Sequence, residues 1–407
     1  MLQKTFVRLK SLSTTTRTMI FLFLIYEFAQ IITEIFLNTF IFLQTKSVIL
    51  LVIYNSVYFT GCMIGFVVWG FIMAQLRISL KYNYLRAFII FFISFVVLLV
   101  FPHDFPYLLI FAILNGIGLG MFWVGVHSYE ITQTNNSDRD FYSSMLEAGK
   151  QIFLIIAPFV ATLSFILSER VFHTETFKIL FWILPLIYIF ALPFLFKLPD
   201  LVPEKIELKE VKRLLFDNSI SKARHYYLIG AFDWALLIIV LPVLSITAMK
   251  TVINIGVLET IMGVISFFII TFLSHIRHKD NRIKIMLYGV IGIVIGYSFL
   301  FMSPIFPYTY IVYSLCMVVV RPVFRVSEHT IDLYSVELIK GKQKCFFPSL
   351  LYRDFMLWIS RIISMILIIF IAYMFNNDLV AVQFGVLLLA IFKIIFWFIA
   401  KRLVESR

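Results

Sequence analysis

Charge is scarce in this chain. Asp, Glu, Lys and Arg make up 14% of its 407 residues, while 61% are hydrophobic. A soluble domain carries about a quarter charged residues and cannot hide so much apolar surface in one core. Lipid is therefore the expected solvent for most of the chain. Cysteine is scarce too: Cys62, Cys316 and Cys345 fall in apolar runs or on the face expected to be cytoplasmic, so no structural disulfide is expected. There is no Walker loop, no zinc-ligand spacing around His127 or His329, and no Ser/His/Asp arrangement. No cofactor and no ATP-binding domain are expected. The formal net charge of +12 does not point to nucleic acid, because the basic residues sit in short connections between apolar runs. The basic start (Lys4, Arg8, Lys10, Arg17) resembles a signal peptide. The apolar stretch that follows is too long for one and is interrupted by Glu27 and Glu34, so it is expected to be an uncleaved first span.

Twelve stretches reach the roughly 20 apolar residues that a span needs: 18–43, 48–75, 85–102, 106–130, 142–167, 177–197, 225–249, 252–274, 285–303, 306–333, 348–375 and 379–400. Pro and Asn/Asp turn chemistry separates the closest of them. Of the 35 Lys and Arg residues, Lys46, Arg170, Lys178 and Lys250 fall on one side of the membrane and Lys150, Arg321, Arg325, Arg353, Arg361 and Lys393 inside spans. All the rest fall on the other side. This bias places both termini in the cytoplasm of a plasma or inner membrane. The longest connection, 198–224, separates an N-terminal bundle (1–197) from a C-terminal bundle (225–407). It contains an amphipathic segment with Ile206, Val211, Leu214 and Leu215 opposite Lys205, Lys209, Lys212 and Arg213, read as a surface helix.

The two halves repeat. Tyr26-Glu27-Phe28 matches Phe232-Asp233-Trp234, Phe105-Pro106-Tyr107 matches Phe306-Pro307-Tyr308, and the segment Phe141 to Glu147 matches Phe346 to Tyr352. Three matches in one order, each about 200 residues apart, point to duplicated six-span halves. The fold class is thus all-α integral membrane, twelve transmembrane helices in two pseudo-symmetric six-helix bundles.

The chain resembles the major facilitator superfamily. The resemblance rests on six plus six spans and a long central loop, the Gly-rich stretch Leu114 to Thr132 in span four, Arg139 before span five, and Pro158 within it. The connection between spans two and three, Gly70 to Arg86, keeps the Gly and the basic residues usual in the family but lacks the acid and the second Gly. The resemblance is therefore architectural. It implies a secondary active transporter of a small solute, monomeric in the bilayer, working by rocking of the bundles about a midplane site.

Charged groups inside the membrane are functional candidates, since each costs several kcal/mol unless it faces protein or water. Glu27, Gln30 and Glu34 share one face of span one, with Asn38 continuing the stripe. Asp233 is the repeat-mate of Glu27. The resemblance puts spans one and seven beside the central cavity, where these acids could carry protons or bind a cationic or hydroxylated substrate. Trp123 and Trp234 share spans with such residues. A second cluster joins His127 and Glu130 (span four), Glu147, Lys150 and Gln151 (span five), Arg321, Arg325, Glu328 and Asp332 (span ten), and Arg353, Asp354 and Arg361 (span eleven). It reads as local neutralisation, as an ion-pair gate between the halves, or as an anion site at Arg321 and Arg361. Arg353 and Lys393 are expected to snorkel. The rival reading is a membrane-embedded enzyme or a flippase acting on lipid-linked substrates, although the distal loops are short for an enzyme.

Overall fold

The structure is a computed structural model that describes residues 12–101, 103–133, 136–203, 205–273, 282–340 and 347–405. Cys345 and the basic residues of the connections at 274–281 and 341–346 lie outside them. Every element among the described residues is helical, as lipid demands: a spanning segment must satisfy its own backbone.

Twelve membrane helices form two bundles. Spans one to six are Thr14–Thr45, Val48–Gln75, Leu80–Val100, Phe105–Glu130, Met145–Val171 and Lys178–Leu195. Spans seven to nine are Asn218–Met249, Val252–Ile270 and Ile283–Met302, and spans eleven and twelve are Phe347–Phe375 and Asp378–Val404. These eleven are long and apolar enough to cross a bilayer by themselves. Span ten, Tyr308–Lys340, is 33 residues long. It packs beside span nine as span four packs beside span three.

The pseudo-symmetry reaches the backbone. Span one ends on Lys46 at φ 49° and span seven on Lys250 at φ 68°. In each case the next residue, Ser47 or Thr251, accepts from a backbone N–H three residues on, at Leu50 (3.4 Å) or Asn254 (3.1 Å), and so caps the following span. Both turns sit on the face opposite the linker, here called distal.

Glycine sets the tightest crossing. Gly61 and Gly65 of span two face Gly116 and Gly120 of span four, and a Cβ on Gly116 or Gly120 would collide with the Tyr58 or Cys62 carbonyl. Small residues four apart on both helices let the backbones touch, which is how membrane helices gain packing where lipid is as apolar as the protein. This accounts for the Gly-rich span four.

Between the bundles, span two packs on span eleven, span five on span eight, and the distal part of span one on span seven. The linker forms a helix at Leu208–Phe216. Its apolar side does not lie on a lipid surface: Leu214 is 2% exposed, and the helix packs on span eleven. Arg224 pins it, donating to the Leu214 and Asp217 carbonyls and to the Tyr352 hydroxyl. The linker also anchors the connection that lacks its own acid. Asp200 accepts from the Ser79 hydroxyl at 2.7 Å, Leu80 N–H donates to the Leu201 carbonyl at 2.8 Å, and Gln75 donates to the Ile206 carbonyl.

Candidate functional site

Span one presents its polar stripe toward the space between the bundles. Glu27 is 5% exposed, and Lys150 of span five donates to its Oε1 at 3.1 Å. Lys150, grouped by sequence with the linker-face cluster, is in fact the partner of the mid-span acid. Further along, Gln30 donates to Glu34 at 3.0 Å, and Asn55 of span two donates to Asn38 at 2.8 Å. Trp123 stands edge-on to Tyr26 at 6.1 Å and packs on His127 at 5.2 Å, so it walls the span-one side.

The C-terminal bundle has its own pair. Span seven breaks at Ala231 between the helices Ser221–Gly230 and Phe232–Met249. Asp233 falls in the first turn of the second helix, where the helix dipole favours a carboxylate. Lys393 of span twelve ion-pairs with it. The snorkelling expectation for Lys393 is thus corrected. It lies inside a helix of 27 residues, about 16 Å from the nearer end at 1.5 Å per residue, beyond the reach of its stem. It is 5% exposed and lies 4.1 Å from the Phe324 ring. Glu27 and Asp233 are repeat-mates, whereas their lysines, on spans five and twelve, are not.

Span ten supplies Arg321, whose Nη2 donates to the Tyr313 hydroxyl at 3.3 Å and which lies in the electrostatic field of Glu259. Sequence reasoning passed over Glu259. The signal was there, a lone acid within span eight, but with no charged neighbour on its own helix it formed no pattern. Glu328 feels Lys393, Asp233, Arg325 and Asp332.

At the linker face, Arg353 does not snorkel. It contacts Asp354 at 3.3 Å and Asp332 at 3.8 Å and bonds His127 of span four at 2.9 Å, while His127 lies 3.9 Å from Glu130. This junction crosses the bundles. Glu147 instead accepts from Gln151 in its own helix at 2.8 Å, and both Glu147 and Arg325 are exposed. Arg361 lies between two rings, 5.2 Å from Phe59 and 5.0 Å from Trp234. The structure therefore joins Glu130, Asp332, Arg353 and Asp354 through His127, moves Lys150 to Glu27, and keeps Glu147, Arg321, Arg325 and Arg361 out of that junction.

The distal end is closed. Val48 N–H of span two donates to Asp378 of span twelve at 2.9 Å. Phe36 and Thr162 press on Gly256, and Ile238 of span seven covers the small void lined by Gln30, Glu34, Asn38, Tyr54, Asn55 and Tyr58. Toward the linker face Glu147 and Arg325 are exposed, while Glu27 and Lys393 are buried.

Residues 7–326 match the sequence profile of the Major Facilitator Superfamily. The chain belongs to the Major Facilitator Superfamily. No curated protein matches it in sequence. Solved structures match in fold over nearly the whole chain. A mutant of the nucleoside transporter NupG, 14% identical, aligns with a TM-score of 0.66 over 96% of this chain and 99% of that one. A bacterial homologue of the human lysosomal transporter Spinster, in an inward-facing and unoccupied conformation, is 10% identical and aligns with a TM-score of 0.62 over 97% and 98%. As a member of this superfamily the protein is a multi-pass membrane transporter of small solutes, not an enzyme.

Proposed function

We propose that this Major Facilitator Superfamily transporter is a secondary active carrier that moves one small solute by alternating access, with Glu27 or Asp233 exchanging a proton during the cycle. The observation that carries the reading is the pair of matched acids, one from the first span of each bundle, each neutralised by a lysine from another helix. In a low-dielectric site a neutral pair is tolerated, and removing one charge leaves the other expensive. A proton delivered to Glu27 would strand the Lys150 charge, so span five would have to shift against span one, or the solute would have to take over the lysine. Proton occupancy and helix position would then be linked. The Lys and Arg bias makes the linker face cytoplasmic, so opening of the bundles at that face would be the inward-open state. The bundles are taken as 1–197 and 225–407, joined by the linker 198–224, and the carrier as a monomer in a plasma or inner membrane.

The test begins with a solute identified by its saturable stabilisation of the purified protein. In proteoliposomes with an imposed pH gradient, Glu27→Gln and Asp233→Asn should each lose concentrative uptake while keeping solute exchange. Normal accumulation by both variants would rule out these acids as proton carriers.

A further inference from the structure

Three arginines of the C-terminal bundle lie deep in the protein, and their surroundings differ. Arg353 has the carboxylates of Asp332 and Asp354. Arg321 has the Tyr313 hydroxyl and the field of Glu259. Arg361 has neither kind of compensation: among the described residues no carboxylate makes an ion pair with it within 4.0 Å. Asp354, two turns earlier on the same helix, is engaged by Arg353. Around the Arg361 guanidinium stand the Phe59 ring at 5.2 Å and the Trp234 ring at 5.0 Å, with the Cys62 thiol close enough for one weak hydrogen bond. Its Nε is buried without a hydrogen-bond partner.

A guanidinium stays charged at any accessible pH. Two aromatic faces return only part of what an uncompensated charge costs at membrane depth. Rings attract the cation but offer no in-plane acceptor. What they leave undone is the bonding of the planar N–H fork, and the groups that match that fork are carboxylate and phosphate. The position suits a carried ligand. Phe59 belongs to the N-terminal bundle and Trp234 to the C-terminal one, and the rings are 5.3 Å apart. Asp233, next to Trp234, is already neutralised by Lys393 and leaves the arginine unopposed.

We propose that Arg361 is the docking point for an anionic group, a carboxylate or phosphate, on the carried solute. The proposal rests on the reading of the chain as a solute carrier. An anion seated there would satisfy the fork and cancel a charge at the seam of the two bundles.

The test uses purified full-length protein in detergent at fixed pH and ionic strength. Melting temperature is followed against paired probes: succinate and succinamide, benzoate and benzamide, glycerol 3-phosphate and glycerol. At least one anion should stabilise saturably where its neutral counterpart does not. Arg361→Gln should weaken that anion about tenfold or more, a loss of 1.4 kcal/mol or greater. Arg361→Lys, which keeps the charge but not the fork, should fall between. Arg86→Gln, which removes a cation stacked on Trp69 at 5.4 Å away from the seam, should bind as the parent does. Equal anion affinity in Arg361→Gln, or stabilisation by neutral or cationic compounds alone, or by no anionic probe, would overturn the proposal. If Arg361→Gln does not fold, Arg361→Lys decides instead, and unchanged affinity in that variant would overturn the proposal equally. Vesicle flux separates the two readings. An anion that binds at Arg361 but is never carried sinks the transport reading and leaves the site. Flux of a neutral or cationic solute only, unaffected by Arg361→Gln, does the reverse.

Discussion

Asp233 and Lys393 show how a membrane interior deals with single charges. Lys393 is buried and Asp233 half-buried, each within its span, and each is tolerable because the other is there. Breaking such a pair leaves one uncompensated charge and destabilises by about 3–5 kcal/mol, whereas replacing both members with apolar residues of similar size is often close to neutral. Lys393→Met alone and Asp233→Leu alone should therefore each lower the unfolding temperature sharply, and the double variant should recover most of the loss. A double variant no better than the worse single would show that the pair is not what holds these residues. The acids were readable as intramembrane carboxylates on matched positions. Their partners were not. Lys150 was grouped with a different cluster and Lys393 with the membrane surface, because sequence gives a residue's depth along its own helix and not which neighbouring helix faces it.

Among the elements, the crossing of spans two and four carries the clearest prediction. A side chain at position 120 meets the Cys62 carbonyl and the Phe66 backbone nitrogen, which cannot rotate away as a side-chain tip could. Gly120→Val should separate the helices and destabilise the N-terminal bundle by about 3 kcal/mol or more, seen as loss of monodisperse protein in size-exclusion chromatography. Gly70 is a milder case, since its nearest neighbour is the Leu351 side chain at 3.0 Å. Gly70→Ala should be tolerated if that leucine can shift, and folded yield measured beside Gly120→Val makes the contrast. The glycines were visible in the sequence as a cluster, but their purpose was not, because the partner glycines of span two lie more than fifty residues away. Span ten was readable by its apolar length, but the partners of its charges, the Tyr313 hydroxyl for Arg321 and Arg353 for Asp332, were not.

On the scale of the whole molecule, the two bundles meet at the distal end, and the proposed cycle requires their polar centre to be reached from the linker face. Cysteines placed at Glu147, Arg325 and Ile238 in a background without Cys62, Cys316 and Cys345 test this. Glu147→Cys and Arg325→Cys should react with a membrane-impermeant maleimide applied from the cytoplasmic side, and Ile238→Cys, under the distal closure, should be protected from the other side. Ready labelling of Ile238→Cys from the distal side would contradict the closure. Reporter fusions after Arg213 and Lys284 should read as cytoplasmic and those after Lys46 and Lys250 as external. An external signal at Arg213 would break the twelve-span topology.

The sequence by itself determined the solvent, the number of spans, the duplicated halves and the acids worth watching. Each of these follows from one-dimensional quantities: the length of apolar runs against bilayer thickness, the spacing of like motifs, and the cost of charge in lipid. Only the tertiary structure decided which lysine neutralises which acid, why span four is rich in glycine, and that Arg361 is faced by rings rather than by a carboxylate. It also decided which end of the molecule is shut. These depend on contacts between helices far apart in the chain. In a bilayer, where every helix is apolar outside, the pattern along one helix does not specify the neighbour it will meet.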